Sequence, residues 1–138
     1  MNILKKWSCV LLIDDNEADN FLHEIAIREA DCAEEIIAYE MAEEALQKLK
    51  EAEVHPEIIF LDLNMPGMDG WEFLEEYNTL PKALKGAIVI MMLTASSNPK
   101  DKQKAIQDFQ LMGFSNKPLT RELCLEIMKK HFPERCSF

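Results

Sequence analysis

Three stretches of the chain, Cys9 to Ile13, Ile58 to Leu61 and Ala87 to Leu93, are continuously apolar and rich in branched side chains. Strands covered on both faces have this composition, and parallel sheets are where such strands occur. Between them, apolar residues recur at helical spacing. Ala18, Phe21, Leu22 and Ile25 form one stripe, Ala42, Ala45, Leu46 and Leu49 a second, and Gly70, Phe73, Leu74 and Tyr77 a third. Further on come Ala105, Ile106 and Phe109, then Leu123, Cys124, Ile127, Met128 and His131, the last stripe started by Thr120 as N-cap after Pro118. Two weaker runs, Glu35 to Tyr39 and Leu111 to Ser115, read as an edge strand and a short fifth strand. The order strand, helix, repeated five times, predicts an α/β domain with a parallel sheet and helices on both faces.

In such a sheet ligands bind at the carboxyl ends of the strands, so the first residue after each apolar run carries information. The first run ends in Asp14-Asp15, the third strand in Asp62 and the fourth in Thr94, and the fifth is followed by Lys117-Pro118. Any one of these is ordinary punctuation near a turn or helix cap. Together they bring three carboxylates, a hydroxyl and an ammonium to one edge. Like charges about 4 Å apart repel by roughly 4 kcal/mol at an effective dielectric near 20, so a fold that gathers them needs a cation. With oxygen ligands and no nearby histidine or thiolate, the chemistry favours Mg²⁺. An acidic pocket holding Mg²⁺ is a place for a phosphoryl group, and an aspartate can serve as its nucleophile, forming an acyl phosphate. Asp62 is the best placed, central and unaccompanied, while the Asp14-Asp15 pair suits a metal.

Size and charge narrow the function further. The chain has 138 residues, enough for one domain with a core of ordinary size, and a formal net charge of -10, which argues against nucleic acid as the main partner. It contains no apolar run long enough to span a bilayer, and its first residues lead into a strand with no signal core, so a cytoplasmic location is expected and no membrane partner. Cys9, Cys32, Cys124 and Cys136 form no C-x-x-C pair and read as reduced, mostly buried thiols. His23, His55 and His131 have no second ligand at metal spacing and read as surface or packing residues.

The segments "LLIDDNE", "FLDLNMPGMDGWEFL", "MLTAS" and "GFSNKPL", in this order and at these separations, resemble the receiver domain of two-component response regulators, over essentially the whole chain. The resemblance implies a flavodoxin-like (βα)5 three-layer sandwich with strand order 2-1-3-4-5. It makes Asp62 the phosphoacceptor, Asp15 a direct Mg²⁺ ligand, Asp14 a partner acting through water, and Asn64 the residue whose backbone carbonyl completes the coordination together with Asp62. Thr94 matches the switch hydroxyl, Lys117 the lysine that pairs with the phosphoryl group, and Phe114 the aromatic that turns inward on activation. Pro118 matches a proline whose preceding bond is commonly cis. Phe at 114, where Tyr is frequent, removes a hydroxyl from that switch.

The expectation is a single receiver domain over 1–138, with its core about 7–131, a short tail 132–138 and no output domain. It would accept a phosphoryl group from a sensor histidine kinase or histidine phosphotransfer protein and act on a downstream protein, or relay the group, without a separate turnover reaction. The rivals are a Mg²⁺-dependent phosphohydrolase with an aspartyl nucleophile and a degenerate receiver that only binds. The first is disfavoured because Asp14-Asp15-Asn16 lacks the D-x-D spacing after the first strand, the second because every catalytic position is filled.

Overall fold

The computed structural model describes residues 1–85, 89–94, 100, 103 and 113–138, with 89–94 and 113–116 as backbone only. The predicted stripe Ala105, Ile106 and Phe109 lies outside these residues, as do Ala87 and Leu111 at the starts of the predicted fourth and fifth strands. Among the described residues are strands β1 (Asn2–Ile3), β2 (Trp7–Ile13), β3 (Ala33–Tyr39), β4 (Ile58–Asp62), β5 (Val89–Thr94), β6 (Gly113–Asn116) and β7 (Cys136–Ser137). The helices are α1 (Glu17–Ala30), α2 (Ala42–Lys50), α3 (Gly70–Asn78) and α4 (Arg121–His131).

Strands β2 to β6 form one parallel sheet in the order β3-β2-β4-β5-β6, which is 2-1-3-4-5 when these five are counted along the chain. The flavodoxin-like expectation therefore holds. The continuous apolar runs follow from the strand period of two with both faces covered. Val10 and Leu12 of β2, with Ile58 and Phe60 of β4, face one core with Ile27 of α1 and Ile127 and Met128 of α4. Leu11 and Ile13, with Ile59 and Leu61, face the other, against Ala45, Leu46 and Leu49 of α2 and Phe73 and Leu74 of α3.

Helix α1 departs from the predicted stripe. Phe21 is 62 % exposed, Leu22 52 % and Ile25 37 %, while the buried residues are Asn20, His23, Ala26, Ile27 and Ala30. The helix turns polar side chains inward at its start because the strand ends there carry polar groups that need partners. Asn20 Nδ2 donates to the Asp14 carbonyl at 2.9 Å, which fixes the rotation of the helix and leaves Phe21 and Leu22 outside. The stripes of α2 and α3 are buried as predicted, and α4 is capped by Thr120, whose hydroxyl accepts from Leu123 N–H at 3.1 Å.

Two features position the functional edge. Gly70 opens α3 against the end of β4, where a Cβ would lie 2.5 Å from the Asp62 carbonyl oxygen and 2.9 Å from Leu63 Cα. Both neighbours are backbone and cannot move aside, so only glycine permits this approach. At the opposite end of the sheet, β1 pairs antiparallel with β7, and the Leu4 N–H donates to the Arg135 carbonyl at 2.7 Å. The segment read as a tail thus carries a strand, a core aromatic in Phe132 packed edge-on against Trp7, and a guanidinium forked onto Glu57 at 2.6 and 3.0 Å. Hydrogen bonding from Arg135 outweighs partial burial and holds the Glu57 carboxyl at about 2.

Two stability outcomes follow from these contacts. Gly70→Ala lowers stability by about 1–3 kcal/mol, the range for overpacking against rigid neighbours, as read by urea unfolding. Glu57→Gln leaves the guanidinium poorly paired and lowers stability by about 1–3 kcal/mol at neutral pH. Because the native carboxyl titrates below its ordinary value of 4.5, its contribution is complete above that value and is lost as pH falls towards about 2. The gap in denaturation midpoint between wild type and Glu57→Gln should therefore narrow across that window; a constant gap would dissociate the effect from the ion pair.

Candidate functional site

The carboxyl ends of β2 and β4 place Asp14, Asp15 and Asp62 together, each offering a carboxylate oxygen within 4.8 Å of the others. Asp14 and Asp62 are buried, whereas Asp15 is exposed at the rim. Asp14 ends β2 beside the edge strand, its N–H donating to the Tyr39 carbonyl at 3.1 Å. Its Oδ1 accepts the N–H of Asn16 at 3.0 Å, and the Asn16 side chain in turn caps α1 by accepting from Asp19 N–H at 3.1 Å. The turn from strand to helix is thereby tied to the acid pair.

Lys117 reaches the same cluster from the end of β6. Its Nζ lies 2.7 Å from Asp14 Oδ2, 2.9 Å from Asp19 Oδ2 and 3.4 Å from Asp62 Oδ2. The Lys117-Pro118 peptide bond is cis. Burial works against the charged lysine, but the carboxylates of Asp14, Asp19 and Asp62 outweigh it and raise its pKa above the ordinary value. Asp62 responds in the opposite sense to its surroundings. Burial first, and the Asp14 carboxylate second, push it up to about 6, against the pull of the Lys117 ammonium and the Asn64 N–H. Even with the lysine in place, then, the pocket holds more negative charge than its neighbours balance.

The loop after β4 is held from outside. The Asn64 N–H donates to Asp62 Oδ1 at 3.4 Å, and Asn64 itself is exposed. Gly67 adopts a φ of +75°, and the carboxylate of Glu43, in the first turn of α2, accepts the Met68 N–H. Asp69 and Glu72 start α3 with a reciprocal capping box. Thr94 ends β5, one residue beyond the register partner of Asp62, and Phe114 lies in β6 opposite Met92. The side chains of Thr94 and Phe114 lie outside the described residues.

Sequence reading did not single out Asp19, Asn20 or Glu43 as part of this site. Asp19 reads as an ordinary first-turn acid of a helix, and its partner Lys117 is 98 residues away. His23 is buried beside Asp14, Asp19 and Lys117, and burial lowers its pKa. The signal that was available is the polar pair Asn20 and His23, placed three apart on a helix with Ile27 and Ala30, a face that competes with the apolar one.

The donor set can hold a metal ion. It consists of carboxylate oxygens without nitrogen or sulfur, which suits a hard divalent cation, and the net negative charge gives such an ion a reason to stay. No helix among the described residues is long and apolar enough to cross a membrane.

Comparison with known proteins places this arrangement. The model of the family described as response regulator receiver domain matches residues 10–129. Protein PilG of Pseudomonas aeruginosa is 31% identical over 129 residues, covering 90% of this chain and 87% of PilG. Hybrid signal transduction histidine kinase B of Dictyostelium discoideum is 35% identical over 85 residues, 54% of this chain but 4% of the kinase, so the chain spans only a small part of that protein. A two component response regulator from Cytophaga hutchinsonii superimposes with a TM-score of 0.84 at 32% identity, over 94% of this chain and 99% of that one. With a parallel sheet in the 2-1-3-4-5 order and acidic residues at its carboxyl edge, the chain belongs to the response regulator receiver domain family.

Proposed function

We propose that this chain works as a cytoplasmic receiver domain, a protein switch set by phosphorylation of Asp62. The donor is a phosphohistidine on a sensor kinase or a phosphotransfer protein. An Asp62 carboxylate oxygen forms a bond to phosphorus as the phosphorus–nitrogen bond of the donor breaks, leaving an acyl phosphate on the aspartate and a free imidazole on the donor. Asp15, Asp62 and the backbone carbonyl of Asn64 would hold Mg²⁺, with Asp14 acting through water, and the ion would supply positive charge to the phosphoryl oxygens. Lys117 supplies a second positive charge, and its 3.4 Å distance from Asp62 leaves it a short movement from the phosphoryl group.

The observation that carries this reading is the meeting of Asp14, Asp15 and Asp62 within 4.8 Å, with one ammonium beside them, at the strand ends where α/β sheets bind ligands. The new charge on Asp62 draws Thr94 and Lys117 inward and lets Phe114 turn, which reshapes the face formed by β6, α4 and the predicted helix before them. The local event is electrostatic, and the response is a shift between two packings. Output passes through contact with another protein or through onward transfer of the phosphoryl group.

Asp62→Asn should reduce incorporation from acetyl phosphate or a phosphohistidine donor to background, and excess EDTA should do the same to the wild type. Both are read by phosphate-affinity electrophoresis. Label that persists in Asp62→Asn, or that survives acid treatment as a phosphoester does, would remove Asp62 from the acceptor role.

A further inference from the structure

The Lys117 ammonium has three N–H donors and faces three carboxylates among the described residues, Asp14 at 2.7 Å, Asp19 at 2.9 Å and Asp62 at 3.4 Å. These carboxylates differ in kind. Asp14 and Asp62 belong to the metal-competent cluster, while Asp19 stands apart from it on the first turn of α1. A divalent ion entering the cluster competes with the lysine for Asp14 and Asp62 and repels it. Asp19 can keep the ammonium without taking an oxygen from the metal.

We propose that Asp19 is a positioning residue for Lys117, a seat that retains the ammonium beside Asp62 when a divalent cation fills the carboxylate cluster, and from which the lysine moves to the phosphoryl group. The inference rests on reading the cluster as a Mg²⁺-assisted phosphoacceptor. The local structure makes Asp19 suited to this. Its N–H is fixed by the Asn16 cap, Asn16 is fixed by Asp14 Oδ1, and Asn20 anchors the next residue to the Asp14 carbonyl. The backbone that carries the carboxylate is therefore held in register with the acid pair by hydrogen bonds that do not involve the lysine. Its side chain is 32 % exposed against 17 % for Lys117, so the pair sits at the boundary of the pocket, where an ammonium can be released inward. Without Asp19 the lysine must share the metal's ligands or leave the site.

The test is calorimetric titration of MgCl₂ into the full chain and its variants. Asp19→Asn should weaken Mg²⁺ binding by about fivefold, the equivalent of a modest ion pair redirected against the metal. Glu17→Gln removes the same charge from the same helix turn without touching Lys117 and should change affinity by less than about twofold, since exposed charges are well screened. Asp19→Glu should restore most of the loss. In a Lys117→Met background, Asp19→Asn should have no greater effect than Glu17→Gln. An Asp19→Asn effect equal to that of Glu17→Gln, or undiminished without the lysine, overturns the proposal. Should Lys117→Met not fold, recovery or failure in Asp19→Glu decides it. Failure of the wild type to bind millimolar Mg²⁺ would overturn both this inference and the functional reading. Mg²⁺ binding without phosphorylation of Asp62 would overturn the functional reading alone, and the variant comparison would still decide the role of Asp19.

Discussion

Two buried carboxylates, Asp14 and Asp62, at the carboxyl edge of a parallel sheet set the terms for the upper half of this molecule. At separations under 4.8 Å and an effective dielectric near 20, each unit-charge pair repels by roughly 3–4 kcal/mol. A fold stable by only about 5–15 kcal/mol cannot carry several such terms uncompensated. The compensation is visible in what surrounds them. Lys117 is drawn from the end of β6 into three ion pairs, backbone N–H groups of Asn16 and Asn64 turn towards the acids, and Asp62 rises to about 6. These responses balance only part of the repulsion, and the clustered acids still offer oxygen ligands that could hold a cation.

The lower half obeys ordinary packing rules. Trp7 and Phe132 meet edge-on in the core beneath the β1–β7 ribbon, and the Arg135–Glu57 fork ties that ribbon to the residue preceding β4. The two halves share β2 and β4, whose apolar residues run from the ribbon end up to Asp14 and Asp62. Carboxylates at the ends of strands buried on both faces have little freedom to separate, because moving them means shifting close-packed core. The repulsion is therefore retained at the site and is available to bind a cation.

The sheet and most of its helices were legible because doubly covered strands leave an unbroken apolar run that little else produces, as in Ile58 to Leu61. The acids were legible through their coincidence, since one polar strand end is ordinary punctuation but several at one sheet edge gather like charges that need a cation. Helix α1 was misread where its apolar residues outnumber its buried ones. The moment of Phe21, Leu22 and Ile25 points outward, and the helix obeys instead the hydrogen bond from Asn20 to the end of β2. Residues 132–137 carried too short a pattern to reveal a strand, and the pairing of β7 with β1 spans the whole chain. Asp19 was invisible for the same reason. A contact with a lysine 98 residues away leaves no periodicity behind.

The misreading of α1 has a cause that bears on mechanism. A sequence specifies a fold most clearly where local preference, pattern and packing agree, and departures gather where function imposes another demand. At the start of α1 the demand is to face Asp19, Asn20 and His23 towards Asp14 and Lys117, at the expense of leaving Phe21 62 % exposed. Folding alone would favour the rotation that buries the phenylalanine, since covering such a side chain contributes about 1.5–3 kcal/mol. The structure adopts the other rotation because polar strand ends and a half-buried ammonium need partners, and unsatisfied groups of that kind are costlier to leave than an apolar side chain in water. The orientation of α1 is thus determined by the chemistry of the pocket, and the apolar surface it leaves outside is a consequence of how the acidic site is built.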